Sequence, residues 1–210
     1  MVAVPNKIMR ITTGKYKGRI IWSPKGIRPT EDRVRKALFD ILGDIEGLSF
    51  LEIFAGSGAV GFEAISRGVK ELTLVEYNRD CLRAINKNIE SLKERACELY
   101  EQEADEAIRT LGKENKKFDI IFLDPPYYQG LARRTGPGSM DHNIKEPLSK
   151  KTLQTLEAYD ILTLYGIIAI QHSKKENLPK ESGNLALVKQ AKYADTLLSF
   201  YRKKENLVNG

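Results

Sequence analysis

The segment that most constrains the fold is an apolar strand that runs directly into a glycine-rich turn, Leu51-Glu52-Ile53-Phe54-Ala55-Gly56-Ser57-Gly58-Ala59-Val60-Gly61. The pattern predicts a strand over Ser49–Phe54 and a helix from about Ala59 to Arg67. Glycine has no Cβ, so Gly56 and Gly58 let the backbone turn tightly and approach a bound nucleotide closely. The spacing Gly56-x-Gly58-x-x-Gly61 also satisfies the dinucleotide fingerprint, so this turn alone does not choose between cofactors.

Predicted strands and helices alternate along the rest of the chain. Further strands are predicted at Glu71–Glu76, Glu98–Gln102, Phe118–Leu123 and Gly166–His172, with helices at about Arg79–Arg95, Asp105–Leu111 and Lys150–Leu162. Ala186–Tyr193 and Thr196–Arg202 are expected to form a closing antiparallel pair. This order predicts an α/β fold with a mostly parallel seven-stranded sheet and helices on both faces.

Residues 1–42 are predicted to form a small basic extension before the main domain at 43–210. Met9–Thr12 and Arg19–Trp22 are expected to pair as a hairpin, and Thr30 is expected to cap a helix from about Glu31 to Leu42. The extension holds ten Lys and Arg against three Asp and Glu, whereas the whole chain has a net charge of +6, so the remainder is close to neutral. A folded basic segment on a neutral body favours contact with a nucleic acid.

Composition excludes several other classes of protein. A length of 210 residues with 41% apolar residues suits one globular domain. The sequence has neither a transmembrane-length apolar run nor the zones of a signal peptide, so we expect a cytoplasmic monomer with no membrane partner. Cys81 and Cys97 lack CxxC spacing, and His142 and His172 have no partners at metal-ligand spacing. We therefore predict no metal site, and interpret both cysteines as packing residues.

Two acidic residues follow predicted strands and are candidates for binding the nucleoside part of a cofactor. Glu76 ends the second strand of the main domain, where a carboxylate can accept hydrogen bonds from two ribose hydroxyls. Asp105 follows the third strand, where its carboxylate could accept from an adenine amino group.

The chemistry is indicated by Asp124-Pro125-Pro126-Tyr127, which directly follows the apolar strand Phe118–Leu123. The two prolines fix the backbone in a rigid extended shape, so the Asp124 carboxylate and the Pro125 carbonyl can both accept hydrogen bonds from a ring-attached amine. These acceptors align a poor nucleophile for methyl transfer, and Tyr127 can stack on the ring. The motif therefore predicts amino methylation and disfavours a nicotinamide oxidoreductase, but it does not distinguish guanine from adenine.

Four motifs together resemble the RsmD-type 16S ribosomal RNA guanine-N2 methyltransferases of bacteria. They are Arg10-Ile11-Thr12-Thr13-Gly14-x-Tyr16-Lys17-Gly18-Arg19, Arg28-Pro29-Thr30-x-Asp32-Arg33-Val34-Arg35-x-Ala37-Leu38-Phe39, Phe54-Ala55-Gly56-Ser57-Gly58 and Asp124-Pro125-Pro126-Tyr127. Tyr193–Tyr201 also resembles the closing strands of that family. The resemblance covers nearly the whole chain, and its N-terminal motifs are the specific ones. One departure is the polar loop Gln129–Asn143, which is longer and more basic than expected after this motif.

The resemblance implies a class I, Rossmann-like methyltransferase that uses S-adenosylmethionine and acts on 16S ribosomal RNA or the small ribosomal subunit. Its residues match the cofactor site at Phe54, Ala55, Gly56, Ser57, Gly58, Glu76 and Asp105, and the catalytic loop at Asp124, Pro125, Pro126 and Tyr127. The implied RNA contacts are Arg10, Arg19, Arg28, Thr30, Arg33 and Arg35.

Three other functions remain to be weighed against this one. A DNA adenine-N6 methyltransferase shares the chemistry, but 210 residues leave no room for a separate target-recognition domain. Enzymes that methylate a glutamine side chain usually carry Asn where this chain has Asp124. A nucleic-acid-binding module with a decayed cofactor fold is disfavoured, since the glycine turn, Glu76 and Asp124 are all intact.

Overall fold

The computed structural model describes residues 9–24, 32–126 and 146–206. The strands are β1 (Met9–Arg10), β2 (Ile20–Ile21), β3 (Ser49–Ile53), β4 (Glu71–Glu76), β5 (Cys97–Glu101), β6 (Phe118–Leu123), β7 (Leu162–Ser173), β8 (Glu181–Ser182), β9 (Leu185–Tyr193) and β10 (Thr196–Lys203). The helices are α1 (Asp32–Leu42), α2 (Ala59–Ser66), α3 (Arg79–Leu92), α4 (Ala104–Lys113) and α5 (Leu148–Tyr159), and a short 3-10 helix covers Lys204–Asn206.

The main sheet has eight strands in the order β5-β4-β3-β6-β7-β10-β9-β8. The first five are parallel to one another, whereas β10 runs antiparallel between β7 and β9. This arrangement confirms the predicted α/β fold with its parallel sheet and antiparallel closing strands. The hairpin of β1 and β2 forms a separate two-stranded sheet, as expected.

The sheet has one strand more than the seven predicted. The additional strand β8 is only two residues long and pairs with the start of β9 across Gly183 and Asn184. Gly183 has a φ of +52°, a left-handed conformation that glycine adopts readily and that permits a tight turn. Two polar residues carry no periodicity, so this strand depends on its neighbour and could not be read from the pattern.

The predicted boundary between α5 and β7 is also wrong. The helix was expected to reach Leu162 and the strand to begin at Gly166, but α5 ends at Tyr159 and β7 begins at Leu162. Asp160 ends the helix in a left-handed conformation, with φ 46° and ψ 48°. Because the apolar residues around this junction suit both a helix and a buried strand, their periodicity does not locate the change.

Alternate residues of the parallel strands supply two apolar cores, one on each face of the sheet. The first core contains Phe50 and Phe122 of the sheet together with apolar residues of α1, α2, α3 and the N-terminal hairpin. The second contains Leu51 and Ile121 with apolar residues of α4 and α5. Helices therefore cover both faces, as predicted, and the described part of the N-terminal extension shares a core with the main sheet.

Both cysteines pack within the body of the protein. Cys81 of α3 is buried, Cys97 at the start of β5 is half-buried, and both are free thiols. Burial raises the pKa of each thiol to about 12, so neither is a thiolate at neutral pH. Among the described residues, no helix is both long and apolar enough to span a membrane.

Candidate active site at the carboxyl edge of the sheet

Three predicted site segments meet where neighbouring parallel strands end. Ile53 of β3 is in register with Val75 of β4 on one side and with Leu123 of β6 on the other. The next residue of each strand is therefore Phe54, Glu76 or Asp124, side by side at the carboxyl edge. The Ala55 N–H donates to the Val75 carbonyl at 3.1 Å, and the Asp124 N–H donates to the Ile53 carbonyl at 3.5 Å. Open α/β sheets bind their ligands at this edge.

The glycine turn has the left-handed backbone that its sequence predicts. Gly56 and Gly58 have φ values of +58° and +73°, and Phe54 has the same sign at +62° despite its side chain. At Gly58 an added Cβ would lie 2.7 Å from a ring carbon of Phe62, so packing as well as conformation requires glycine. At Gly56, by contrast, no described heavy atom lies within 4 Å of an ideal Cβ. The turn therefore leaves open space above Gly56.

Glu76 joins the end of β4 to this turn. One of its carboxylate oxygens accepts a hydrogen bond from the Gly56 N–H at 2.7 Å. The other accepts from the N–H groups of Tyr77 and Asn78, at 2.9 and 2.8 Å. A carboxylate has about four acceptor positions, so three backbone donors leave capacity for a ribose hydroxyl. The carboxylate and the open space above Gly56 thus fit the nucleoside of S-adenosylmethionine.

The predicted catalytic residues follow β6 at the same edge. Asp124 is half-buried, Pro125 is buried and Pro126 is exposed. The Asp124 carboxylate is close enough to Glu52 of β3 to disfavour a second negative charge there. Tyr127 lies outside the described residues, as does the loop Gln129–Asn143.

Asp105 lies in the first turn of α4, and its carboxylate is directed towards α5. It forms an ion pair with Lys151 and accepts a hydrogen bond from the Thr155 hydroxyl at 3.2 Å. These partners hold α4 against α5. A contact between this carboxylate and an adenine stays a prediction.

Sequence reasoning missed Glu52, an acidic residue in the middle of the apolar strand β3. Its side chain is buried, and it accepts a hydrogen bond from the Gly61 N–H at 2.7 Å. The pKa of Glu52 is raised to about 8: burial is the largest cause, the nearby carboxylate of Asp124 contributes in the same direction, and the N–H groups of Gly61 and Val60 oppose them. The carboxyl is therefore largely protonated at neutral pH. The signal in the sequence was a single acid within an otherwise apolar run.

The predicted RNA contacts fall into three groups. Arg10, Arg19 and Arg33 are exposed. Arg10 donates to the Gly18 carbonyl at 2.9 Å across the hairpin, and Arg19 donates to the Ser91 carbonyl of α3 at 2.6 Å. Arg28 and Thr30 lie outside the described residues. The third group is Arg35 alone.

The prediction that Arg35 contacts RNA does not fit its position, because the side chain is only 2% exposed. It donates to the Arg10 carbonyl at 2.8 Å and lies 3.9 Å from the carboxylate of Glu63 in α2. Glu63 is also buried, and accepts from both the N–H and the hydroxyl of Thr12 at 2.7 Å. Arg35 and Glu63 therefore fasten the N-terminal hairpin and α1 to the main domain. The alternating charges that suggested RNA contact give no sign of this burial.

Asn88 is a second polar residue that sequence reasoning missed. It lies on the buried side of α3 and is 0% exposed. Its side-chain oxygen accepts from the Trp22 N–H at 2.8 Å, and its amide nitrogen donates to the carbonyls of Trp22 and Ser57, both at 3.0 Å. One side chain thus connects the end of the N-terminal hairpin to the glycine turn. The signal was an Asn at the spacing of the apolar residues Ile85 and Leu92.

Comparison with known proteins identifies a matching family and several similar proteins. The family described as Conserved hypothetical protein 95 matches residues 9–137. YlbH of Bacillus subtilis (strain 168), named as a putative rRNA methyltransferase, is 30% identical over 200 residues, which are 93% of this chain and 100% of YlbH. Ribosomal RNA small subunit methyltransferase D of Haemophilus influenzae is 31% identical over 160 residues, 74% of this chain and 82% of that protein.

The enzyme of the same name in Escherichia coli (strain K12) is 37% identical over 130 residues, 60% of this chain and 64% of the relative. Among solved structures, a hypothetical protein of Thermus thermophilus has a TM-score of 0.74 at 28% identity, covering 93% of this chain and 99% of that one. The similarity thus extends from the N-terminal hairpin to the closing strands.

Proposed function

Because this chain belongs to the RsmD-type methyltransferase family, we propose that it transfers a methyl group from S-adenosylmethionine to the exocyclic N2 amino group of a guanine in 16S ribosomal RNA. The observation that carries the proposal is the meeting of Asp124, the glycine turn and Glu76 at one edge of the sheet. A methyl-donor site and acceptors for an amine are thereby adjacent. The relatives named as small-subunit ribosomal RNA methyltransferases support the choice of RNA.

The cofactor would be held by the residues that line this edge. S-adenosylmethionine, when bound, supplies an electrophilic methyl group. The turn at Phe54–Gly58 offers space at Gly56, where no Cβ stands, and Glu76 offers acceptor capacity to a ribose hydroxyl. The Asp105 carboxylate already pairs with Lys151, and it would also accept a hydrogen bond from the adenine amino group.

Asp124 and Pro125 would prepare the substrate amine. The Asp124 carboxylate and the Pro125 carbonyl accept hydrogen bonds from the two hydrogens of the amino group, which orients the nitrogen for attack. The nitrogen gains positive charge in the transition state, and the carboxylate would stabilise that charge before the nitrogen loses a proton. Tyr127 would stack on the guanine ring.

The exposed cations of the hairpin would hold the RNA. The guanidinium groups of Arg10 and Arg19 each donate to a main-chain carbonyl through one nitrogen, so the other N–H groups of each side chain could donate to a phosphate. Arg33 is exposed on α1. Arg28 and Thr30 belong to the same basic motif. Arg35 is left out of this surface, since its burial gives it a structural role.

The proposal is tested by substituting Asp124 and measuring both methyl transfer and cofactor binding. Asp124→Ala removes the charged acceptor, so kcat on small ribosomal subunits from a strain that lacks the enzyme should fall about a hundredfold or more. The affinity for S-adenosylmethionine, measured by calorimetric titration, should change little.

Glu181→Ala is the matched control, because Glu181 is an exposed acid in β8, the last strand of the sheet, four positions away from β6 in the strand order. Its turnover should equal that of the unaltered chain. Unimpaired turnover by the Asp124→Ala variant would contradict the proposed mechanism.

A further inference from the structure

The outer side of the N-terminal hairpin carries two large apolar side chains that are about half exposed. Ile20 is 41% exposed and Trp22 is 49% exposed, and they flank Ile21, which is buried in the core. Arg10 is paired with Ile20 across the hairpin and is exposed as well. Apolar and cationic groups therefore alternate on one small surface.

The backbone of Trp22 is fixed although its indole is exposed. Asn88 accepts from its N–H at 2.8 Å and donates to its carbonyl at 3.0 Å. The same Asn88 amide donates to the Ser57 carbonyl at 3.0 Å, so the main chain of Trp22 lies one side chain away from the glycine turn. An aromatic ring carried by a fixed backbone has fewer degrees of freedom to lose when it gains a partner.

A cation already lies against this ring. The Lys87 ammonium is 3.3 Å from the centroid of the indole, in a cation–π contact. One ammonium covers one face of a ring, and about half of the Trp22 side chain remains accessible to a second partner. The ammonium is also positioned to meet an anionic group attached to that partner.

We propose that Trp22 is a stacking platform for an unpaired base of the RNA substrate, with Lys87 and Arg10 contacting the adjoining phosphates. This inference rests on the proposed function, and adds to it a contact that recognises a single-stranded region of the RNA substrate. Aromatic rings interleaved with cations are typical of sites for unpaired nucleotides, because each nucleotide has a base that can stack on a ring and a phosphate that a cation can neutralise. The excess of basic residues in the N-terminal extension supplies the matching charge.

Trp22 is the single tryptophan of the chain, so its fluorescence reports on this position alone. Titration of the unaltered protein with a short single-stranded RNA of mixed sequence should quench the emission to saturation, because a stacked base quenches an indole. This readout does not depend on the folding of any variant. Emission that stays unchanged at RNA concentrations that saturate binding would overturn the proposal.

Two substitutions extend the test, with binding followed by the anisotropy of a labelled RNA. Trp22→Ala should weaken binding about tenfold, the scale of one base–aromatic stack. Lys87→Ala should reduce the slope of log Kd against log salt by about 0.7, the value for one phosphate of a single strand. Tyr165→Ala is the control, since Tyr165 is 75% exposed near the start of β7, at the opposite edge of the sheet, and its loss should change neither quantity.

Methyl transfer by the same variants separates this inference from the function on which it rests. Trp22→Ala should raise KM for RNA and leave kcat within about twofold. If the unaltered chain methylates RNA and Trp22→Ala has the same KM, the platform is wrong and the proposed function stands. If RNA quenches Trp22 but no methyl group is transferred, the platform stands and the proposed function is wrong. Quenching by RNA-free ribosomal proteins alone would assign this surface to a protein partner instead.

Discussion

Glu52 has a carboxyl group whose pKa departs strongly from the usual value for its type. Its carboxyl is buried in β3 beneath the glycine turn, and a Cβ on Gly61 would lie 2.8 Å from one of its oxygens. Because burial raises its pKa to about 8, the group stays largely neutral beside Asp124. A second negative charge beside Asp124 is thereby avoided.

This buried carboxyl should make stability depend on pH in a defined direction. Its pKa in the folded chain is raised to about 8 from 4.5, so above about pH 4.5 the unfolded state releases a proton that the folded state keeps. The free energy of unfolding therefore falls as pH rises towards about 8, by up to about 1.4 kcal/mol per pH unit. Glu52→Gln removes this contribution and retains an acceptor for the Gly61 N–H. Urea unfolding of both proteins at a series of pH values measures it, and parallel curves for the two would refute the assignment.

At the residue scale, the sequence predicts groups whose role follows from their position on a strand. Phe54, Glu76 and Asp124 could be placed at one edge, because parallel strands end together there. The roles of Arg35 and Asn88 could not be predicted, since their partners lie far away along the chain. Arg35 is 25 residues from Arg10, and Asn88 is 66 residues from Trp22. Contacts between residues so far apart in the chain decide which partners a buried charge or amide has. The local sequence pattern does not identify those partners.

At the scale of elements, the glycine turn between β3 and α2 contains two glycines that are needed for different reasons. Gly58 is required by the fold, because its φ is positive and a Cβ would meet Phe62. Gly56 has a positive φ but open space around it. A side chain at Gly56 would therefore occupy the volume that the cofactor is expected to use.

Gly56→Ala should consequently affect binding more than folding. The left-handed backbone should cost about 1 to 2 kcal/mol of stability in the free protein, since no described atom clashes with the new methyl group. The affinity for S-adenosylmethionine should fall about tenfold or more, equivalent to about 1.4 kcal/mol. Thermal unfolding and calorimetric titration measure the two effects.

Gly47→Ala provides the matched control, because Gly47 has a φ of +73° and equally open surroundings in the turn before β3, at the opposite end of that strand. It should lose similar stability and no cofactor affinity. Equal affinity for the cofactor in both variants would show that the space above Gly56 is not the binding site.

The boundary of a helix could be predicted where a residue at that boundary caps the helix with its side chain. Asn78 caps α3 by accepting from the N–H groups of Asp80 and Cys81, and the predicted start at Arg79 is confirmed. The predicted end at Arg95 is wrong, because Lys93 adopts a left-handed conformation and ends the helix at Leu92. Lysine gives no warning of such a turn, whereas glycine or asparagine would have done.

At the scale of the whole molecule, the N-terminal extension combines two roles. Met9, Ile11 and Phe39 pack into the same core as Phe50 and Phe122 of the main sheet. Arg10, Arg19 and Trp22 of the same hairpin are exposed, and Asn88 connects the main chain of Trp22 to the glycine turn. Because the basic surface that we propose to bind RNA is attached through a shared core, it is expected to hold a fixed position relative to the proposed site. The boundary predicted at residue 42 therefore marks a change in charge, and the division into two domains stays a prediction.

The most direct test of the account is to identify the nucleoside that this protein methylates. Small ribosomal subunits, protein-free RNA and DNA from a strain that lacks the enzyme would be incubated with the protein and tritiated S-adenosylmethionine, digested, and separated into nucleosides. The proposed function predicts label in N2-methylguanine from the small subunit or its RNA. Label in N6-methyladenine, or label in DNA alone, would contradict the proposed substrate.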